Sequence, residues 1–162
     1  MYRFIKFTFC TLATTATLFL INNSFSTDVD LKYGSINKVD ILLEESLTLF
    51  NLQLYEEAEE KLEIANHLQP YYSLTHFMLA EVLRQRGKMV EAIKEYRMTI
   101  KLDPFDSRAK FRLGTALFEV GEDEKGIRMI REASKLNPLD KEFLDSLKRY
   151  EGQIERKNST NG

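Results

Sequence analysis

The three prolines of the sequence lie at a constant spacing. Pro70, Pro104 and Pro138 follow a 34-residue period, and the chain has no other proline. Each ends a similar phrase: Leu-Gln-Pro, Leu-Asp-Pro and Leu-Asn-Pro. A fixed period of this length is typical of short helical units stacked side by side. The spacing therefore predicts a repeat architecture.

Small residues follow the same 34-residue period. Two glycines, Gly87 and Gly121, are in phase, with Gln53 at the matching place in the first unit. The other small residues in phase are Ser46, Ala80 and Gly114, and then Ala58, Ala92 and Gly126. Apolar residues between them recur every three or four positions, which indicates helices. Each unit is thus predicted to be a helical hairpin that turns where Gly adopts a left-handed conformation at little cost. The pairs Ala80–Ala92 and Gly114–Gly126 are predicted to let two helices cross closely.

The third unit resembles the tetratricopeptide repeat family. The resemblance lies in the run Ser-Arg-Ala-Lys-Phe-Arg-Leu-Gly at 107–114, followed by Gly121, Ala133 and Pro138. It implies an all-α fold, a right-handed superhelix of three stacked helix-turn-helix hairpins with a C-terminal capping helix. The predicted parts are a leader over 1–26, a linker over 27–38, repeats over 39–72, 73–106 and 107–140, a capping helix over 141–156 and a disordered tail over 157–162. Asp140 is predicted to cap the last helix.

Residues 1–26 have the layout of a secretory signal peptide. Arg3 and Lys6 precede a charge-free stretch over 7–21, and Ser24-Phe25-Ser26 offers small residues for cleavage. An uncleaved membrane anchor and an organelle transit peptide are the alternatives. The repeats are accordingly expected to be exported (periplasmic, secreted or lumenal) or anchored to the membrane by this segment.

Candidate catalytic groups are scarce. The single cysteine, Cys10, allows neither an intrachain disulfide nor a cysteine-based metal site. The two histidines, His67 and His76, have no further ligand spaced to complete a metal site. Neither a glycine-rich phosphate loop nor a nucleophile in a recognised setting is present. The sequence predicts no enzyme, no cofactor and no metal.

The resemblance implies a concave groove that binds a protein or peptide partner and is lined by the first helix of each hairpin. The residues predicted to line it are Leu43, Leu47, Phe50, Phe77, Glu81, Arg84, Arg108, Phe111, Thr115 and Phe118. The chain departs from the family at Lys110 and Leu117, which occupy the family's aromatic packing positions. In the alternative interpretation the groove residues only pack neighbouring helices, with Phe111 replacing Lys110 in that role.

The leading functional prediction is an exported or membrane-associated adaptor without enzyme activity. The alternative is a structural module that self-associates, most simply as a homodimer. A nucleic-acid binder is a third class, with a basic patch at Arg128, Arg131, Lys135, Lys148 and Arg149. The 21 basic and 25 acidic side chains after residue 26 disfavour this class, so no nucleic-acid partner is expected.

Overall fold

The computed structural model describes residues 38–160. The chain divides into two compact units, Met1–Asp40 and Ile41–Gly162, and only the helical residues 38–40 of the first are described. The predicted leader over 1–26 and the linker up to residue 37 lie outside the described residues.

The described part of the chain contains helices and no strands. The helices are α1 (residues 38–51), α2 (Tyr55–Leu68), α3 (Ser73–Gln85), α4 (Met89–Leu102), α5 (Ser107–Glu119), α6 (Asp123–Leu136) and α7 (Lys141–Thr160). The starts of α3, α5 and α7 follow the same period as the prolines. Contacts between successive helices, α3 with α4 and α5 with α6 above all, build a stack of hairpins. The all-α repeat superhelix is confirmed.

Each hairpin turns through one left-handed residue. These residues are Gln53 with φ of 61°, Gly87 with 75° and Gly121 with 83°. A Cβ atom at either glycine would meet nothing within 4 Å, so backbone conformation rather than lack of space favours glycine there. The prediction of left-handed turn glycines is confirmed.

Two helices of the third hairpin touch through their backbones. A Cβ on Gly114 would lie 2.8 Å from the carbonyl oxygen of Gly126, and the reverse distance is also 2.8 Å. In the second hairpin, Ala80 and Ala92 are both fully buried. Small residues are therefore required where α5 crosses α6, as predicted.

The last helix is longer than predicted. Asp140 caps it as expected, because its Oδ1 accepts a hydrogen bond from the backbone N–H of Phe143 at 3.3 Å. The prediction of a disordered tail over 157–162 is wrong for residues 157–160, which continue α7. Lys157 Nζ donates to Asp123 Oδ2 on α6, and this ion pair ties the final turns of α7 to the stack.

A nearly buried carboxylate links the first two hairpins. Glu59 on α2 is 8% exposed, and its Oε1 accepts from Lys88 Nζ at 2.8 Å. Its Oε2 accepts from Arg86 Nη1, while Arg86 Nε donates to Glu56 at 3.0 Å. Burial by itself would raise the pKa of the Glu59 carboxyl. The hydrogen bonds from Lys88 and Arg86 outweigh burial and hold that pKa below its usual 4.5.

Glu59→Gln is expected to destabilise the fold at neutral pH by about 1–3 kcal/mol, since it removes charge-assisted hydrogen bonds from a buried position. A lowered folded-state pKa means that the contribution of Glu59 is present above pH 4.5 and is lost as the pH falls through the folded pKa. Urea unfolding of both proteins across this range measures the difference. Glu63→Gln, an exposed change on the same helix, is the control. If the stability difference between the wild type and Glu59→Gln stayed constant as the pH fell below 4.5, this role for Glu59 would be contradicted.

Candidate functional site

The first helices of the hairpins form a face with two adjoining cavities. The smaller cavity, of about 130 Å³, lies between α1 and α3 and is largely apolar. Its lining residues are Ser46, Leu47, Phe50, Phe77, Met78, Glu81 and Val82.

The second cavity, of about 270 Å³, lies between α3, α5 and α7 and is more polar. It is lined by Phe77, Glu81, Arg108, Phe111, Arg112, Asp140, Glu142 and Phe143. Phe77 and Glu81 border both cavities, so the two adjoin, and together they are called the groove below.

Glu81 is held in a fixed position at the centre of the groove. The buried Tyr96 hydroxyl donates to Glu81 Oε1, with Arg112 Nε at 3.4 Å from the same oxygen. Arg84 Nη2 lies 3.5 Å from Glu81 Oε2. Burial, and then the neighbouring Glu81 carboxylate, raise the pKa of Tyr96, so its phenol stays protonated as a donor. Neighbouring donors therefore balance the negative charge of Glu81, so this carboxylate has a structural role in addition to lining the groove.

Two arginines of α5 keep hydrogen-bonding capacity on the groove side. The Arg108 guanidinium lies 5.4 Å from the centre of the Phe77 ring. Its nearest carboxylate oxygen, in Asp106, is 4.0 Å away and accepts from the Ala109 N–H. Arg112 lies 3.4 Å from Glu81 through Nε and 3.9 Å from Glu142 through Nη1, and both distances are longer than a good charged hydrogen bond. Both guanidinium groups can therefore donate to a ligand.

Six of the ten predicted site residues line the groove: Leu47, Phe50, Phe77, Glu81, Arg108 and Phe111. The other four do not border either cavity. Leu43 is buried at 7% exposure, Arg84 lies beside Glu81, and the Thr115 hydroxyl donates to the Arg112 carbonyl.

The aromatic residues of α5 pack against α7. Phe111 is 3% exposed and stacks on Phe143 with ring centres 4.6 Å apart. Phe118 stacks on Tyr150 at 4.0 Å, and its ring lies against Gly126. Phe111, which was predicted to line the groove, is therefore not exposed as a binding residue, because α7 covers its ring. Phe111 belongs to the core and meets the groove only at its border.

A family model of YpiA-like tetratricopeptide repeats matches residues 51–103. The matched stretch runs from the turn of the first hairpin to the end of the second. Over this stretch the chain is similar to tetratricopeptide repeats. A search with the sequence found no similar protein among curated ones.

Solved structures of tetratricopeptide repeat domains share the fold. The first such domain of Spaghetti (RPAP3), bound to the HSP90 peptide SRMEEVD, matches with a TM-score of 0.70 at 19% identity, over 73% of this chain and 94% of that one. The Sgt2 domain from Aspergillus fumigatus matches with a TM-score of 0.71 at 19% identity, covering 75% and 82%. The Yersinia enterocolitica secretion chaperone SycD, in complex with a peptide of the translocator YopD, matches with a TM-score of 0.66 at 19% identity, covering 78% and 96%.

Several residues that line the groove were not among those predicted from the sequence. Glu142 and Phe143 belong to α7 and Asp140 caps it, and the sequence predicted only a capping role for this helix. Arg112 lies four residues after Arg108 on α5, and this helical spacing would have been sufficient to include it.

Neither a cluster of metal-ligating side chains nor a membrane-spanning helix is found among residues 38–160. Residues 38–160 contain no group of three or more His, Cys, Asp and Glu side chains arranged to hold a metal ion. The His76 ring is engaged on both sides, by Glu95 at 2.7 Å and the Pro70 carbonyl at 3.0 Å. None of the helices over these residues has the length and apolar character needed to span a bilayer.

Proposed function

We propose that this protein is an adaptor without enzyme activity that binds an extended protein segment in the groove. The observation that carries the proposal is the groove itself, where an apolar pocket adjoins a cavity lined by two arginines that can donate to a ligand. Two structurally similar proteins hold peptides, the RPAP3 domain an HSP90 peptide and SycD a peptide of YopD. At 19% identity these neighbours support the fold as a peptide-binding scaffold, and they do not identify this chain's partner.

The two cavities suit different parts of a bound segment. The pocket beside Leu47 and Phe77 has the volume and apolar lining to take a large aliphatic or aromatic side chain. Arg108 and Arg112 present guanidinium donors that match backbone carbonyls and carboxylates. A segment lying across both cavities would bury an apolar side chain in the first, and its backbone carbonyls would accept hydrogen bonds from the arginines of the second.

Leu47→Asp is expected to weaken segment binding by roughly thirtyfold or more, because it places a charge in an apolar pocket that receives an anchor. Leu47 is 52% exposed, so this change should alter folding stability by only about 0.5 kcal/mol. Peptides enriched from a random-sequence display library by the wild-type protein, then measured by fluorescence anisotropy, provide the test.

Leu52→Asp is the matched control, since Leu52 is 64% exposed in the first turn and does not border the groove. It should bind the selected peptides as the wild type does. Equal binding by Leu47→Asp, or selective loss in Leu52→Asp, would place the binding site elsewhere.

We also propose that residues 1–26 deliver the repeats out of the compartment of synthesis or anchor them to a membrane. The support is the sequence pattern of this segment alone. A reporter fused after Lys38 should leave the compartment of synthesis, and Ala16→Arg should retain it. A charge in the middle of the apolar stretch costs about 2.5–3.5 kcal/mol on insertion scales. Unchanged localisation of the Ala16→Arg fusion would exclude a targeting role.

A further inference from the structure

Six basic side chains stand in register on α4 and α6. They are Lys94, Arg97 and Lys101 on α4, and Arg128, Arg131 and Lys135 on α6, each pair one repeat period apart and all six exposed. Spacings of three and four residues place the members of each row on one side of their helix. We call this surface the basic face.

The repeat fold does not require these charges. The corresponding positions of the first hairpin, on α2, are Glu60, Glu63 and His67, which are also exposed. The helices pack in the same way in all three hairpins, although these positions are mainly acidic in the first and basic in the other two. The basic face is therefore a property of this sequence and needs an explanation other than folding.

The two rows of the basic face adjoin. Arg97 and Arg128 border one cavity of about 230 Å³, with Lys125 also on its lining. Its remaining lining residues are Leu113, Leu117 and Met129. The basic face lies on the second helices of the hairpins, whereas the groove is formed by the first helices and α7.

Most of these charges are not neutralised within residues 38–160. Arg131 pairs with Glu151 at 2.8 Å. No other member of the basic face forms an ion pair within 4 Å in this part of the chain, although Arg97 is close enough to Glu122 to help Lys125 lower the pKa of its carboxyl. Three carboxylates of the same helices are engaged elsewhere. The engaged pairs are Glu95 with His76, Glu132 with Lys110, and Asp123 with Lys157. Glu91 and Glu124 lie three residues before Lys94 and four residues before Arg128, in or beside the first turns of α4 and α6, and form no ion pair with them within residues 38–160.

Large apolar side chains protrude where the two rows end. Phe105 follows Lys101 by four residues and is 79% exposed, and Leu139 follows Lys135 by four residues and is 89% exposed. Basic side chains beside isolated protruding apolar ones are typical of surfaces that rest on a lipid headgroup layer. A nucleic acid would gain base stacking from Phe105 but not from the aliphatic Leu139. The combination favours a lipid surface.

We propose that the basic face docks onto an anionic lipid surface, with Phe105 and Leu139 entering the headgroup region. Each Lys or Arg held near such a surface improves partitioning about fivefold. Five of the six basic side chains, all but Arg131, have no ion pair within residues 38–160 and can contact headgroup phosphates and carboxylates. This docking is independent of what the groove binds.

The full chain carrying Phe105→Trp tests the proposal, because the natural sequence contains no Trp and the new side chain reports on its own surroundings. Its fluorescence should shift to the blue with vesicles of two parts phosphatidylcholine to one part phosphatidylserine. The shift should be much smaller with phosphatidylcholine alone, and salt should reduce it. Equal shifts on both kinds of vesicle would overturn the proposal.

Replacing Lys94, Arg97, Arg128 and Lys135 together by Gln should weaken binding to the anionic vesicles several hundred-fold, at about fivefold per charge. Glu60→Gln with Glu63→Gln is the matched control and should not weaken it. Residues 1–26 are the same in all variants, so they cannot produce this difference. Circular dichroism verifies that the fold is intact.

Two further results would overturn the proposal. One is unchanged vesicle binding by the fourfold variant with its helical signal intact. The other is displacement of the protein from anionic vesicles by duplex DNA or polyglutamate, when the competitor supplies far fewer negative charges than the lipid does. Such displacement would assign the basic face to a different polyanion.

Discussion

Phe111→Ala is expected to lower the free energy of unfolding by about 3–5 kcal/mol, the usual cost of truncating a buried aromatic side chain. The ring is 3% exposed and stacked on Phe143, and both belong to a cluster with Ile130 and Ala133. Removing it leaves a cavity between α5, α6 and α7. Urea unfolding followed by circular dichroism at 222 nm measures the loss.

Phe105→Ala provides the matched control for this truncation. Phe105 is 79% exposed, so the same chemical change should alter stability by only about 0.5 kcal/mol. A mild effect of Phe111→Ala, comparable to that of Phe105→Ala, would mean that α7 does not cover the ring in solution. Phe111 would then return to the groove as an exposed anchor.

The backbone could be predicted well from the sequence because the repeat places proline and glycine at matching positions of its units, where a helix ends or the chain turns. Three prolines and two glycines at one period marked where helices end and turn, and Gly87 and Gly121 adopt the left-handed conformation that this position demands. Gln53 adopts it too, with φ of 61°, although it is not glycine. Its place in the period, rather than its residue type, predicted that turn.

The groove was predicted less well because its second half depends on a helix outside the repeats. Helical spacing on α3 and α5 identifies which residues share a face, but not which neighbour covers them. Phe111 and Phe143 are separated by slightly less than one full period, so their stacking does not follow from the repeat. Side-chain packing between α5 and α7 decides their exposure, and the sequence pattern alone does not report it.

Charge pairing between hairpins was also inaccessible from the sequence. Glu81 accepts from Tyr96 on α4 and lies near Arg112 on α5, so three helices determine its environment. Glu59 belongs to the acidic run over residues 56–60, yet it is nearly buried and bound by Lys88 and Arg86. Only the distances to side chains on other helices distinguish Glu59 and Glu81 from the exposed carboxylates beside them.

Gly114→Leu is expected to lower the free energy of unfolding by about 3 kcal/mol or more. Overpacking a core usually costs about 1–3 kcal/mol, and this site lies at the upper end of that range. The first added atom alone would lie 2.6 Å from Ile130 Cγ1 and 2.8 Å from the Gly126 carbonyl oxygen. The second of these contacts is with backbone, so a rotamer change cannot relieve it. Helices α5 and α6 would have to separate, which exposes the core beneath Ile130. Thermal and urea unfolding of the full chain measure the loss.

Gly114→Ala and Gly152→Ala form a matched pair that separates crowding from helix propensity. A Cβ at Gly152 would meet nothing within 4 Å, so Ala there should stabilise α7 by up to about 1 kcal/mol. The same change at Gly114 gains the same propensity but brings the Cβ against Gly126, and we expect net destabilisation, smaller than that of Gly114→Leu. If Ala at position 114 stabilised the protein as Ala at position 152 does, the helices would not cross as closely as their backbones indicate. The small residues recurring at positions 46, 80 and 114 would then need a different reason.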